Sequence, residues 1–210
     1  STILRIIALR VMESCSYYII ATFLLGYINR DHPDAKQATL VAMLIACVLA
    51  VPAVIASGAI SDKVGRKTVY LAATVAMILF AFPMFLLTNG GNAVLITIAY
   101  IIGISVIWGT LAGVQGAWFG ELFPTNTRNS GVSLGYQIAS SIGGFAPFAA
   151  GALAATFGWV GGSILYMSAA VIGLIGLLST RETWGKAERK RVDDSLSGQD
   201  SSTSIVATVS

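Results

Sequence analysis

Within RVMESCSYYIIATF, Arg10, Glu13 and Tyr17 follow one another at spacings of three and four, with Tyr18 beside the last. On a helix these residues share one face. Glu13 on that face is a candidate proton-binding carboxylate whose affinity Arg10 tunes, and Arg10 is a candidate contact for an anionic or zwitterionic solute. Tyr17 and Tyr18 can orient a carboxylate by hydrogen bonding. The bland alternative is a structural pair that keeps both charges neutralised beside aromatic rings that only pack. A second group, in SGAISDKVGRKTVY, holds Gly58, Asp62, Gly65, Arg66 and Lys67. Gly65 permits a tight reversal, and Asp62 and Arg66 are four apart, so they pair if the segment stays helical. A third group, ELFPTNTR, carries Glu121 and Arg128. A carboxylate at a helix C-terminus opposes the helix dipole, so Glu121 needs a cation, and Arg128, Arg66 and Lys67 are the expected partners.

One pattern suggests catalysis and fails on inspection. Gly131, Val132, Ser133, Leu134 and Gly135 match G-x-S-x-G, but a nucleophile needs a base within reach. The single histidine, His32, falls in a loop on the other side of the membrane, where it reads as a solvated residue beside a proline turn. No enzyme function is expected. Cys15 and Cys47, the two cysteines, lie inside apolar runs and suggest neither a disulfide framework nor a metal site.

The elements that must position these groups are membrane helices. The 210 residues are 55% hydrophobic and 11% charged, with a mean hydropathy of +0.77. Apolar runs of spanning length fall at about 6–28, 38–60, 68–88, 92–118, 130–157 and 160–180. They are about twice as long as a barrel strand needs to be, and a segment in hydrocarbon must satisfy its own backbone, so six helices are expected. Counted from Arg5 at about 1.5 Å per residue, Glu13 lies about 12 Å into the membrane. An ionisable group at that depth is a functional candidate.

Basic residues set the orientation. Lys63, Arg66 and Lys67 precede the third helix, Arg128 precedes the fifth, and Arg181, Lys186, Arg189, Lys190 and Arg191 follow the sixth. These connections alternate, so both termini are expected in the cytoplasm. A net charge of +3 placed at helix ends is topology, not a nucleic-acid footprint. Residues 181–210 turn charged and then Ser/Thr-rich, and read as a basic collar followed by a disordered tail. Ser1 stands where an initiator would, and the expectation is a processed chain or part of a longer one.

Small residues recur at helix-packing spacing: Gly109, Gly113, Gly116 and Gly120 in the fourth helix, Gly131 and Gly135 in the fifth, Gly173 and Gly176 in the sixth. Gly143, Gly144 and Pro147 predict a kink in the fifth helix. Tyr136, Gln137, Ser140 and Ser141 give that helix a polar stripe, and Gln115 adds a polar group near the inner end of the fourth. Trp108 falls near the middle of its helix, as a cavity wall or as simple packing, whereas Trp118, Trp159 and Trp184 fit the interfacial belt.

Gly58, Asp62, Gly65, Arg66 and Lys67 together resemble the loop signature of the major facilitator superfamily as it recurs between the eighth and ninth helices. Glu121, Phe123, Pro124 and Arg128 resemble its counterpart after the tenth. The run GELFPTNTRNSGVSLGYQIASSIGGFAPFAAGAL is similar to the metabolite:proton symporter branch, which includes transporters for proline and betaine, 2-oxoglutarate, citrate and shikimate; RVMESCSYYIIATF fits the same branch. The resemblance implies an all-α membrane fold in which these helices are the C-terminal half of a twelve-helix transporter, built as two inverted three-helix repeats and working by alternating access. It implies that Asp62, Arg66, Glu121 and Arg128 are cytoplasmic gate contacts. The expected function is proton-coupled symport of a small carboxylated or zwitterionic metabolite, with the proton as coupling ion and no other cofactor. The expected partners are the lipid of a plasma (inner) membrane and either the absent N-terminal six helices or a second copy. Two other readings stay open: half of a sugar-porter-type facilitator, and a non-transporting membrane interaction protein.

Overall fold

The computed structural model describes the backbone of residues 2–121 and 128–180 and the side chains of 4–120 and 132–180. Among the described residues six helices are long and apolar enough to cross a membrane, and there is no strand: α1 (Leu4–Asp31), α2 (Pro33–Val64), α3 (Arg66–Thr88), α4 (Ala93–Gly120), α5 (Val132–Phe157) and α6 (Trp159–Leu178).

Local chemistry marks where these helices begin and end. Pro33 opens α2, where its missing N–H would have had no partner in any case. Asn92 caps α4, its side-chain oxygen accepting from the amides of Val94 at 2.9 Å and Leu95 at 3.3 Å. Between α2 and α3 the chain reverses at Gly65, whose φ of 111° and ψ of 134° lie where an L side chain is strained. Gly65→Ala is therefore expected to cost about 1–3 kcal/mol, read as a lowered melting temperature of the detergent-solubilised chain. The helical ladder of α5 breaks at Phe145, one residue after Gly144 and two before Pro147, and resumes at Ala146.

α1 packs against α5 and α6, α4 packs against α2 and α3, and α3 lies against α6. Exchanging the first three helices with the last three maps α1–α5 onto α2–α4, α1–α6 onto α3–α4, and α3–α6 onto itself. The two triplets are thus related by a pseudo-twofold arrangement, and an odd number of crossings in each makes them run in opposite senses. The correspondence reaches the backbone itself, because α1 and α4, the first helix of each triplet, both contain a π-helical stretch, Ile19–Leu24 and Ile101–Trp108. The all-α half bundle of two inverted three-helix repeats is the fold that the resemblance implied.

α1 is the most enclosed helix, with 61% of its apolar window buried against 22% for α2 and for α5. Its side chains Ile6, Leu9, Met12 and Ile20 join Tyr70 and Met77 of α3, Leu111 of α4 and Tyr166 of α6 in one core. Helices meet closely where a side chain is missing. A Cβ on Gly113 would run into the Ser57 hydroxyl and the Val54 carbonyl of α2, one on Gly143 would lie 2.5 Å from the Ser14 Cβ of α1, and one on Gly173 would collide with Met12. Gly116 does not share this role: nothing lies within 4 Å of its Cβ position.

Candidate functional site

Because α1 is central, the face carrying Arg10 and Glu13 turns into the bundle. Glu13 is 2% exposed. The Arg10 guanidinium donates to the Glu13 carboxylate one turn away and, through the same Nη1, to Gln115 Oε1 of α4 at 3.1 Å. Gln115, 1% exposed, donates from Nε2 to the Tyr70 hydroxyl of α3 at 2.8 Å. Tyr70 in turn donates to the backbone carbonyl of Leu9 at 3.0 Å. The Arg10 guanidinium also lies over the Tyr136 ring of α5, 4.4 Å from its centroid. Four helices thus converge on one ion pair.

A buried carboxylate and a half-buried guanidinium in a membrane-spanning helix require this enclosure. Each loses its hydration, and only pairing plus hydrogen bonds to the remaining donors and acceptors offsets the loss. Glu13 has further polar neighbours in the Trp108 indole N–H and the Ser14 hydroxyl, although neither closes a hydrogen bond of normal geometry. Trp108 N–H and Arg10 Nε are therefore buried donors with unused capacity beside a carboxylate.

Two cavities lie further along α1, neither lined by Arg10 or Glu13 themselves. Tyr17 packs on Trp108 with ring centroids 5.1 Å apart, and the two rings form one wall of an open apolar cavity of about 380 Å³ that Cys47, Val51 and Ile55 of α2 and Ile104 of α4 also line. Tyr18 turns the other way, into a cavity of about 500 Å³ between α1 and α5 that Phe23, Tyr27, Arg30, Pro147 and Phe148 also line. Both volumes suit a small metabolite.

The sequence-level candidates therefore divide. Arg10, Glu13, Gln115, Tyr136 and Trp108 come together; Tyr17 and Tyr18 border the cavities beside them. Gln137 is exposed on the opposite face of α5, away from the cluster. Sequence reasoning missed Tyr70, wholly buried at the centre of the network. It also misplaced Trp118, which is not in an interfacial belt: it is fully buried, stacked on Tyr70 at 5.4 Å and on Phe119 at 6.1 Å. The start of α3 and the end of α4 pack together, so an aromatic at that level is covered by protein. Its one signal was a phenol and an indole at matching depth on the two helices.

At the α2–α3 turn, Arg66 pairs with Asp62 at 3.0 Å across Gly65. Lys67 Nζ donates to the Thr180 carbonyl at 2.6 Å, just beyond the end of α6, where carbonyls lack helical partners and a cation is favoured. Gly58 sits against α4, its Cβ position 3.5 Å from the Gly113 carbonyl. The side chains of Glu121 and Arg128 lie outside the described residues, as does the 181–210 tail. At the other end of the helices His32, half-exposed as a loop residue is expected to be, also has a partner: its Nε2 meets the Asn89 carbonyl at 2.8 Å, and its ring packs on Gly91, whose φ is 66°. It ties the α1–α2 turn to the α3–α4 turn.

Residues 6–205 match the model of the Major Facilitator Superfamily. The chain belongs to that superfamily. Among its superfamily relatives, the shikimate transporter of Escherichia coli K12 is 30% identical over 183 residues, covering 86% of this chain and 42% of that protein. The proline/betaine transporter of the same organism is 26% identical over 186 residues, covering 87% of this chain and 36% of that one. An inner membrane metabolite transport protein of E. coli is 38% identical over 130 residues, 60% of this chain. This superfamily member thus spans less than half the length of the relatives it matches. Those relatives are transporters, not enzymes, and belong to the metabolite-transporter branch that the sequence motifs resembled. No solved structure matches the chain.

Proposed function

We propose that the chain is the C-terminal half of a proton-coupled symporter that moves a small carboxylated or zwitterionic metabolite by alternating access, in the inner membrane, with both termini cytoplasmic. The observation that carries this reading is the Arg10–Glu13 pair, its carboxylate buried, on the most enclosed helix and held by side chains from three others. In this mechanism Glu13 exchanges its partner: deprotonated, it holds Arg10; protonated, it releases the guanidinium, which is then available to a substrate carboxylate entering beside Tyr17 and Trp108. Proton and substrate binding are thereby linked, since each favours the state in which Arg10 has left Glu13. The shikimate and proline/betaine specificities of the relatives support a substrate with a carboxylate.

The deciding experiment is uptake into proteoliposomes under an imposed pH gradient, with labelled shikimate, glycine betaine, proline and a sugar, for the chain alone, as a dimer, and with a six-helix N-terminal half. Gradient-driven accumulation of a carboxylate or zwitterion with the second half present is the expected result. Sugar uptake without gradient dependence would replace this reading with a facilitator, and no uptake in any preparation would leave a non-transporting membrane protein.

The cytoplasmic turn gives a separate expectation. Asp62 has a 62% exposed side chain, so its pair with Arg66 contributes at most about 1 kcal/mol to stability. Asp62→Asn and Arg66→Ala are expected to leave the melting temperature nearly unchanged while lowering the uptake rate. Unchanged uptake would remove the gating role.

A further inference from the structure

The hydrogen bonds around Arg10 run in one direction and close on themselves. Arg10, which can only donate, gives a hydrogen bond to the Gln115 carbonyl oxygen; the Gln115 amide nitrogen gives one to Tyr70; the Tyr70 hydroxyl gives its single proton to the Leu9 carbonyl, which can only accept. The circuit leaves α1 at Arg10, crosses α4 and α3, and returns to α1 at the adjacent residue. Its polarity is fixed at both ends. With its proton committed to Leu9, the Tyr70 oxygen must accept, so the amide nitrogen of Gln115 faces Tyr70 and its oxygen faces Arg10.

Resting on the transport reading above, we propose that Tyr70 is a positioning residue for substrate recognition: through Gln115 it holds the Arg10 guanidinium in place for an anionic substrate group when Glu13 lets go. Gln115 supplies the acceptor that keeps Arg10 bonded in both protonation states of Glu13, and Tyr70 supplies the acceptor that keeps Gln115 turned the right way. Without the Tyr70 hydroxyl, the Gln115 amide nitrogen is buried with no acceptor, a costly condition. Gln115 and the Glu13 carboxylate share the Arg10 Nη1, so an amide that flips brings its nitrogen to that side, where it competes with Arg10 for the carboxylate. Tyr70 never touches the substrate. Its ring packing on Trp118 survives in phenylalanine, which separates the hydroxyl's role from the ring's.

The test uses Tyr70→Phe, Gln115→Glu and the double variant in the preparation that shows uptake, with labelled shikimate as the anionic probe and its methyl ester as the neutral one. Tyr70→Phe is expected to raise KM for shikimate by about tenfold with little change in maximal rate and none for the ester. Gln115→Glu, which places a second carboxylate on Arg10, is expected to raise KM by itself. Adding Tyr70→Phe to it should raise KM no further, because a carboxylate has no wrong end to turn. A KM rise for both probes, or additive effects in the double variant, would overturn the proposal in favour of a packing role. A substrate-free readout covers failure of the transport reading: in lipid, the ¹⁵N magnetic resonance line of the Arg10 Nη atoms, assigned by Arg10→Lys, should move in Tyr70→Phe toward its position in Gln115→Ala. If that line stays put, Tyr70 does not orient Arg10; if it moves and nothing is transported, the positioning stands and the transport reading falls.

Discussion

Glu13→Gln is expected to reduce proton-driven accumulation to an inside-to-outside ratio of about one, while substrate exchange down its own gradient continues, because a carrier that cannot take a proton has nothing to couple to. The amide is isosteric with the carboxylate and still accepts from Arg10, so the fold should persist. Arg10→Met behaves differently. It strands the Glu13 carboxylate, 2% exposed, without its cation, and truncating one partner of a buried pair costs about 3–5 kcal/mol. Arg10→Met combined with Glu13→Gln removes both charges and should recover most of that stability without recovering transport. Unfolding in mixed detergent micelles measures the stability arm, and proteoliposome uptake measures the other. Full accumulation by Glu13→Gln would remove Glu13 from the coupling mechanism.

Gly113→Leu is expected to prevent the chain from folding into a monodisperse six-helix bundle, whereas Gly116→Leu, three residues along the same helix, should be tolerated to within about 0.5 kcal/mol. The contrast follows from what each would meet. At Gly113 any side chain strikes the α2 backbone at Val54 and the Ser57 hydroxyl, and backbone cannot step aside as the end of a flexible side chain can. Even a single extra methylene in a packed interior costs about 1–3 kcal/mol, and a leucine here would pry α2 from α4 along their whole contact. At Gly116 the space is open. Size-exclusion profiles and melting curves of the two variants side by side would check this, and equal behaviour would refute the close approach of α2 to α4.

These cases show which physics is legible in a linear sequence. The six helices follow from hydropathy, and the Arg10–Glu13 pair follows from a spacing of three, because both are local properties of one segment. Tyr70 was invisible for the opposite reason: its partners Gln115 and Leu9 stand 45 and 61 positions away, and a phenol near a helix end reads equally well as an interfacial aromatic. Trp118 was misread on the same ground. The glycine spacing of α4 announced a close helix contact but not its partner, and it did not separate Gly113, which meets α2, from Gly116, which meets nothing. The contact of His32 was hidden because Asn89 lies 57 positions away. The π-helical stretches left no trace at all, since IIATFL and IIGISVIW are as uniformly apolar as their surroundings.

Those stretches have a mechanical consequence. A π turn is wound less tightly than the α-helix on either side of it, so tightening it twists one flank about the helix axis relative to the other. In α1 the stretch begins directly after Tyr18, and the flank before it carries Arg10, Glu13 and Tyr17; in α4 it ends at Trp108, and the flank after it carries Gln115. Two of the four helices that meet at the charge network thus hold torsional slack at its border. Winding or unwinding a few residues can re-aim Glu13, Arg10 and Gln115 like keys on two shafts, while α1 and α4 keep their places among their neighbours.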